Sequence, residues 1–278
     1  RLTVSGWIKI LMLWMILIYF PVAHWVWGGG FLSKLGFVDF AGGAVIHITS
    51  GLGCLGGIYV LGERKFKNEH GPFNIGLVAI GAALLLFGWY GFNSGGTIAA
   101  ADIAAIVFTN TGVAAAVGMI VWIIVYSLHA KKASFLEAIV GAVAGLATIT
   151  PASGYVTPIS AVIIGAIGAF ICFFCVEFER KMWDDARDVW GVHGMGGLIG
   201  TLLIGVFADP RINGINAGVK QFFIQLLGCV IIGIYSILMT FLIFKIIDMV
   251  KSIKVSEEIQ ARGLDEEFFN EKYETKHE

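Results

Sequence analysis

The chain has 278 residues, of which 57% are hydrophobic and 14% charged, and its formal net charge is −1. With a mean hydropathy of +0.82, this composition belongs in a bilayer. It offers no broad basic face to track phosphates, so nucleic-acid binding is set aside.

Eight stretches meet the requirement of about 20 mostly apolar residues per crossing at a rise of ~1.5 Å each. They run over 7–27, 37–61, 73–95, 104–129, 134–151, 157–178, 189–208 and 221–247. The expectation is an all-α polytopic membrane protein, with a transmembrane domain over 1–251 and a cytoplasmic tail over 252–278.

Lys and Arg gather on the cytoplasmic side in short loops. Arg64, Lys65 and Lys67 follow the second stretch, Lys131 and Lys132 the fourth, and Arg180, Lys181 and Arg187 the sixth. SGGTIAA and PASGYVTP, between the third and fourth and the fifth and sixth stretches, carry no basic residue. Both termini are therefore expected in the cytoplasm of a cell-membrane protein. Arg211 and Lys220 in the last outer loop weaken this pattern without reversing it.

The first stretch ends in Trp25 and Trp27, an aromatic pair suited to the membrane interface. The second, DFAGGAVIHITSGLGCLGG, carries Asp39 and His47, eight residues apart and so expected near one helix face. An ionisable group at the bilayer centre costs about 2.5–3.5 kcal/mol on insertion scales and usually marks a pathway. In the third stretch, GWYGFNSGG breaks an aromatic cluster with glycine and asparagine, an arrangement suited to the mouth of a lumen; aromatic faces attract cations by about 0.5–2 kcal/mol.

The seventh stretch, DVWGVHGMGG, carries His193. Asp39, His47 and Gly51 parallel Asp188, His193 and Gly197, although the Asp-to-His spacings differ. This hints at an inverted repeat of five helices, in which three helices are expected ahead of Arg1.

A lone membrane histidine more often joins helices by a hydrogen bond than carries a substrate. His24 is read that way, and His70, His129 and His277 as solvated. His47 and His193, at matching repeat positions in glycine-rich surroundings, fit a pore better. Small-xxx-small pairs at Gly53 and Gly57, Gly141 and Gly145, and Gly196 and Gly200 fit close helix packing. Cys54, Cys172, Cys175 and Cys229 all lie in apolar stretches and read as inert thiols, despite the C-x-x-C spacing of Cys172 and Cys175. No metal, no cofactor and no enzymatic activity are expected.

The segments PVAHWVWGGG, DFAGGAVIHITSGLG, LLFGWYGFNSGG, GAVAGLATITPASGYVTP and DDARDVWGVHGMGGLIGTLLIGVFAD resemble the ammonium transporter family, which is related to the Rhesus proteins. The resemblance implies an eleven-helix inverted-repeat protomer, of which this chain looks like helices four to eleven, assembling as a homotrimer with a pore in each protomer. It assigns Asp39 to shaping the ammonium site near the outer side of the pore and Trp27 to cation recruitment. Phe92 becomes part of the mouth closure, Trp89 a pore-lining ring, and His47 and His193 the twin histidines that relay protons. At Gly96 many relatives have a serine that binds the recruited ion, and Ser94 or Thr97 is the candidate replacement.

In the tail, the ARGLD stretch with Gly263, Leu264 and Asp265 resembles the family's regulatory segment, which in prokaryotes meets a PII signalling protein. The last dozen residues read as a solvated, disordered tail. Ammonium transport is thus implied; an ammonium sensor or a neutral ammonia or small-molecule channel is the alternative.

Overall fold

In the computed structural model, residues 1–65, 72 and 74–271 are described. His70 and His277 lie outside them.

Among the described residues, seven helices are long and apolar enough to cross a membrane. They are α1 (Val4–Leu35), α2 (Gly43–Leu61), α3 (Ile75–Thr97), α4 (Asp102–Ala130), α6 (Pro158–Met182), α7 (Val189–Phe207) and α8 (Val219–Val250). The eighth expected crossing is α5 (Phe135–Ile149), an apolar helix of only 15 residues. Turns occupy the following segment until Thr157, whose hydroxyl accepts from the Ser160 N–H at 3.3 Å, caps the start of α6. At ~1.5 Å per residue α5 measures about 22 Å, so the hydrophobic stretch overstated its length by counting turn residues as helix.

Two starts also differ from expectation. α1 begins at Val4, three residues before the apolar run, because the Thr3 hydroxyl caps it by accepting from the Gly6 N–H at 3.2 Å. α2 does not begin until Gly43, so 37–42 is an irregular approach and Asp39 lies ahead of the helix.

Glycines set the closest approaches, as the small-xxx-small pairs predict. A Cβ at Gly145 would overlap the Ala114 carbonyl of α4, and one at Gly200 the Thr148 carbonyl of α5. Gly51 of α2 lies against Gly194, the residue after His193, and Gly197 of α7 lies against His47 and Ile48. Each glycine four residues beyond one histidine thus admits the turn that carries the other, which gives the inverted repeat a physical purpose. α3 is the contrast: it buries only Trp89 and Asn93.

At one end of the bundle Leu2 pairs with Lys254, the Thr3 N–H donates to the Ile253 carbonyl at 2.8 Å, and the Val255 N–H donates to Arg1 O at 3.1 Å. Ile253 and Val255 are buried. The tail then forms α9 (Glu257–Arg262) and α10 (Leu264–Phe269). The expectation of disorder for the last dozen residues fails at its near end, because α10 is ordered through Phe269; residues 272–278 lie outside the described ones.

Candidate functional site

Both histidines sit on the same unusual local structure. α2 opens with a π-helical turn over Gly43–Ile48 and α7 with one over Val189–Gly194, and the histidine is the fifth residue of each. The wider i→i+5 bonding is direct: His47 N–H donates to Gly42 O at 3.0 Å, and Met195 N–H to Trp190 O. Such turns recur at functional sites because the extra residue re-aims side chains.

Asp39 makes the first turn possible. Its Oδ1 accepts from the N–H groups of Gly42 at 2.9 Å and Gly43 at 2.7 Å, and its Oδ2 from those of Ala44 at 2.7 Å and Val45 at 3.0 Å. A helix start leaves four N–H groups unpaired and carries a partial positive charge; one carboxylate answers both. The chain enters through Gly42 at φ +108°, a conformation that favours glycine. The expectation of Asp39 and His47 on one helix face is therefore corrected: Asp39 is the cap beneath the turn that presents His47.

Asp188 does not repeat that role. It adopts φ +51° before the second turn, and its carboxylate receives the Arg180 guanidinium at 2.8 Å. The expected pairing of Asp39 with Asp188 is therefore corrected: Asp188 matches Asp39 neither in spacing nor in contact, and the aspartate eight residues before His193 is Asp185, whose Oδ2 accepts from the Trp190 N–H at 2.9 Å.

The two imidazoles meet Nδ1 to Nδ1 at 3.2 Å. In such a contact between neutral rings one Nδ1 donates and the other accepts, so one proton lies in the contact and the accepting ring carries its own on Nε2. Their ring centroids are 5.2 Å apart with planes 23° from parallel, and Trp89 stacks on the side of His47 at 5.3 Å. Thr150 fixes that indole by accepting from its Nε1–H at 2.9 Å. A cavity of about 550 Å³ is lined by both histidines, Trp89 and Phe92, with Ile46 and Leu84 among its apolar walls and Ser50 supplying a hydroxyl. Phe92 meets Trp89 edge-on at 6.2 Å and is 42% exposed.

Trp27, on α1, is not among the residues lining this cavity; it donates its Nε1–H to the Asp39 carbonyl at 2.7 Å and is 44% exposed. Thr97 Oγ1 lies within hydrogen-bonding distance of Ser94 O at 2.9 Å and Ala99 O at 2.6 Å, inside its own loop. Ser94 Oγ is buried without a partner among the described residues. Gly96 abuts Phe40, whose ring and carbonyl would lie 3.3 Å from an added Cβ.

At the opposite end, Asp184 gathers Arg1 and Arg64. It accepts from the Arg64 main-chain N–H at 2.7 Å and from its guanidinium at 2.5 Å, and it pairs with Arg1 at 3.1 Å. Burial opposes the charge of Asp184, but the hydrogen bonds from Arg64 and the charge of Arg1 outweigh it and hold the carboxyl below its usual range. The tail reaches the same loop: Lys65 pairs with Glu257 at 3.1 Å, and its N–H donates to Gln260 at 3.3 Å. Gly263, at φ +103°, turns α9 into α10, where Leu264 and Asp265 form the first turn.

Sequence reasoning did not find Thr150 or Gln225. Gln225 grips both main-chain groups of Val38, next to Asp39, accepting from its N–H at 3.0 Å and donating to its carbonyl at 2.6 Å. A lone amide within an apolar run was the available signal.

A family model described as the Ammonium Transporter Family matches residues 1–273. A putative ammonium transporter of Methanothermobacter thermautotrophicus is 42% identical over 95% of this chain and 67% of its own length. The crystal structure of Candida albicans Mep2 superposes with a TM-score of 0.87 at 34% identity, covering 93% of this chain and 61% of that one. A solved structure titled Sensor Amt Protein superposes at 0.85 with 32% identity, covering 92% and 68%. The chain thus spans about two thirds of the length of the proteins it matches. With the model covering all but its last residues, the chain belongs to the ammonium transporter family.

Proposed function

We propose that this sequence carries ammonium across the membrane: the cation is gathered at the aromatic mouth, loses a proton, and passes as ammonia through an apolar lumen while the histidine pair relays the proton. The observation that carries this reading is the 3.2 Å contact between His47 and His193 in a cavity walled by Ile46, Leu84 and Trp89.

The chemistry follows from a selectivity problem. Potassium and ammonium share charge and similar size, so a charged filter separates them poorly. Ammonium has N–H donors and can lose a proton, and potassium can do neither. Trp27, Phe92 and the Asp39 region favour a cation at the entrance; a narrow apolar lumen with few polar groups then makes deprotonation the way through. Imidazoles accept and pass a proton near neutral pH.

Both ends of the chain face the cytoplasm in this reading, the assembly is a homotrimer, and the Gly263, Leu264 and Asp265 segment is a regulatory contact open to a PII-type protein. Ser94, with its unpartnered hydroxyl, supports a hydrogen bond to the recruited ion better than Thr97 does. Sensing is the second reading, favoured by the likeness to the sensor protein and by the tail's contacts with Lys65 beneath α2. Charge movement across liposomes containing the full-length protein, driven by an ammonium gradient, tests the choice. Transport predicts a sustained current that saturates with ammonium; binding without current supports the sensor.

A further inference from the structure

Asp185 stands eight residues before His193, as Asp39 stands before His47, but it takes only one N–H of its turn where Asp39 takes three. Trp190 and Gly191 are the second and third residues of that turn, the register held by Ala44 and Val45 in the other. The N–H groups of Ala44 and Val45 both go to Asp39 Oδ2. The Trp190 N–H goes to Asp185 Oδ2 at 2.9 Å, and the Gly191 N–H goes to Glu179 Oε2 at 2.7 Å. Asp185 is local, five residues away; Glu179 comes from the last turns of another helix, α6.

Glu179 is 0% exposed. A buried carboxyl is costly unless it is paired, and the side chains acting on this one are the acids Asp185 and Asp188, the second also as a hydrogen-bond neighbour. Arg180, next in sequence, turns instead to Glu177 and Asp188. An ion pair therefore does not account for Glu179, whereas an N–H at the positive end of α7 does. The approach is tight: a Cβ at Gly191 would lie 2.6 Å from Val176 Cγ2 and 3.0 Å from Glu179 Oε1.

We propose that Glu179 is a positioning residue for His193, its Oε2 holding the Gly191 N–H so that the imidazole two residues on meets His47. It is half of a divided counterpart to Asp39. This rests on the reading of the two histidines as a relay pair. A hydrogen bond weakens steeply with distance and angle, so releasing the turn at Gly191 loosens the 3.2 Å Nδ1 contact.

The test uses full-length wild type, Glu179→Ala and Glu179→Gln in liposomes, together with 15N NMR of histidine-labelled protein. Glu179→Ala is expected to lower the maximal ammonium current about tenfold, as misplacement of a reacting group does, with the half-saturating concentration unchanged. Its imidazole signals shift from wild type. Glu179→Gln keeps an oxygen for the Gly191 N–H, so current and imidazole signals return towards wild type. The proposal is overturned if Glu179→Ala leaves both readouts unchanged, if it alters only the half-saturating concentration, or if Glu179→Gln is as impaired as Glu179→Ala. Should wild type itself carry no ammonium current, transport fails as a reading while the NMR comparison still decides the role of Glu179.

Discussion

The two histidine-bearing turns reach the same geometry by different means. In the first, one aspartate just ahead of the helix takes four N–H groups. In the second, Asp185 takes the N–H groups of Arg187 and Trp190, Glu179 takes that of Gly191, and Asp188 is engaged by Arg180. The inverted repeat preserves the π turn, the fifth-position histidine and an aspartate eight residues ahead of it, and the second turn adds Glu179 from a neighbouring helix. The spacing from capping aspartate to histidine is kept in both halves, and the number of N–H groups that the aspartate takes is not.

The comparison predicts unequal fragility. Asp39→Ala removes the whole cap at once, where each hydrogen bond to a charged group is worth about 1.5–3 kcal/mol, so ammonium uptake should be abolished while the protein still inserts. This loss should exceed that of Glu179→Ala, whose turn retains Asp185. Uptake assays on membranes with matched expression check the order; normal uptake in Asp39→Ala would remove Asp39 from the account.

Sequence and structure part company where the local geometry lacks a periodic signature. The meeting of His47 and His193 and the close approaches at the glycine pairs were legible because residue type and spacing carry the information, whereas the roles given to Trp27 and Trp89 came from the family resemblance. The π turns were not, since one extra residue in a turn leaves no hydrophobic period, and so Asp39 was read as part of the helix it caps. Glu179 was invisible for another reason: its partner, Gly191, is 12 residues away on a different helix. The short α5 was hidden by apolar residues that continue through its following turn.

A smaller effect is expected at the other end of α2. Losing Asp184 leaves Arg1 and Arg64 without their shared carboxylate, and breaking a buried pair costs about 3 kcal/mol at the low end. Asp184→Asn should lower thermal stability at pH 7. Because the folded state holds this carboxyl below its usual range, its stabilisation is full above the unfolded value of about 3.9 and disappears as pH falls through the folded value. Melting curves in detergent should show a wild-type decline below roughly pH 4 that is reduced in Asp184→Asn. The same decline in both proteins would assign it to other groups.

The smallest effect belongs to Trp27, which touches the first turn only through the Asp39 carbonyl. Trp27→Leu should weaken apparent ammonium affinity by about 0.5–2 kcal/mol, roughly two- to thirtyfold, and change the maximal rate less. An unchanged concentration dependence would make Trp27 an interfacial anchor.

The central claim is that His47 and His193 form one proton-sharing unit, and it is tested most directly by ammonium and potassium currents in liposomes containing full-length wild type, His47→Ala or His193→Ala. Removing either ring takes away a relay partner and widens the lumen, where added water can restore ion solvation. Both variants are predicted to lose proton-coupled ammonium current, and where a wetter lumen passes ions, potassium enters where wild type excludes it. Wild-type ammonium current with potassium still excluded in both variants would contradict the account and return the histidines to a helix-packing role.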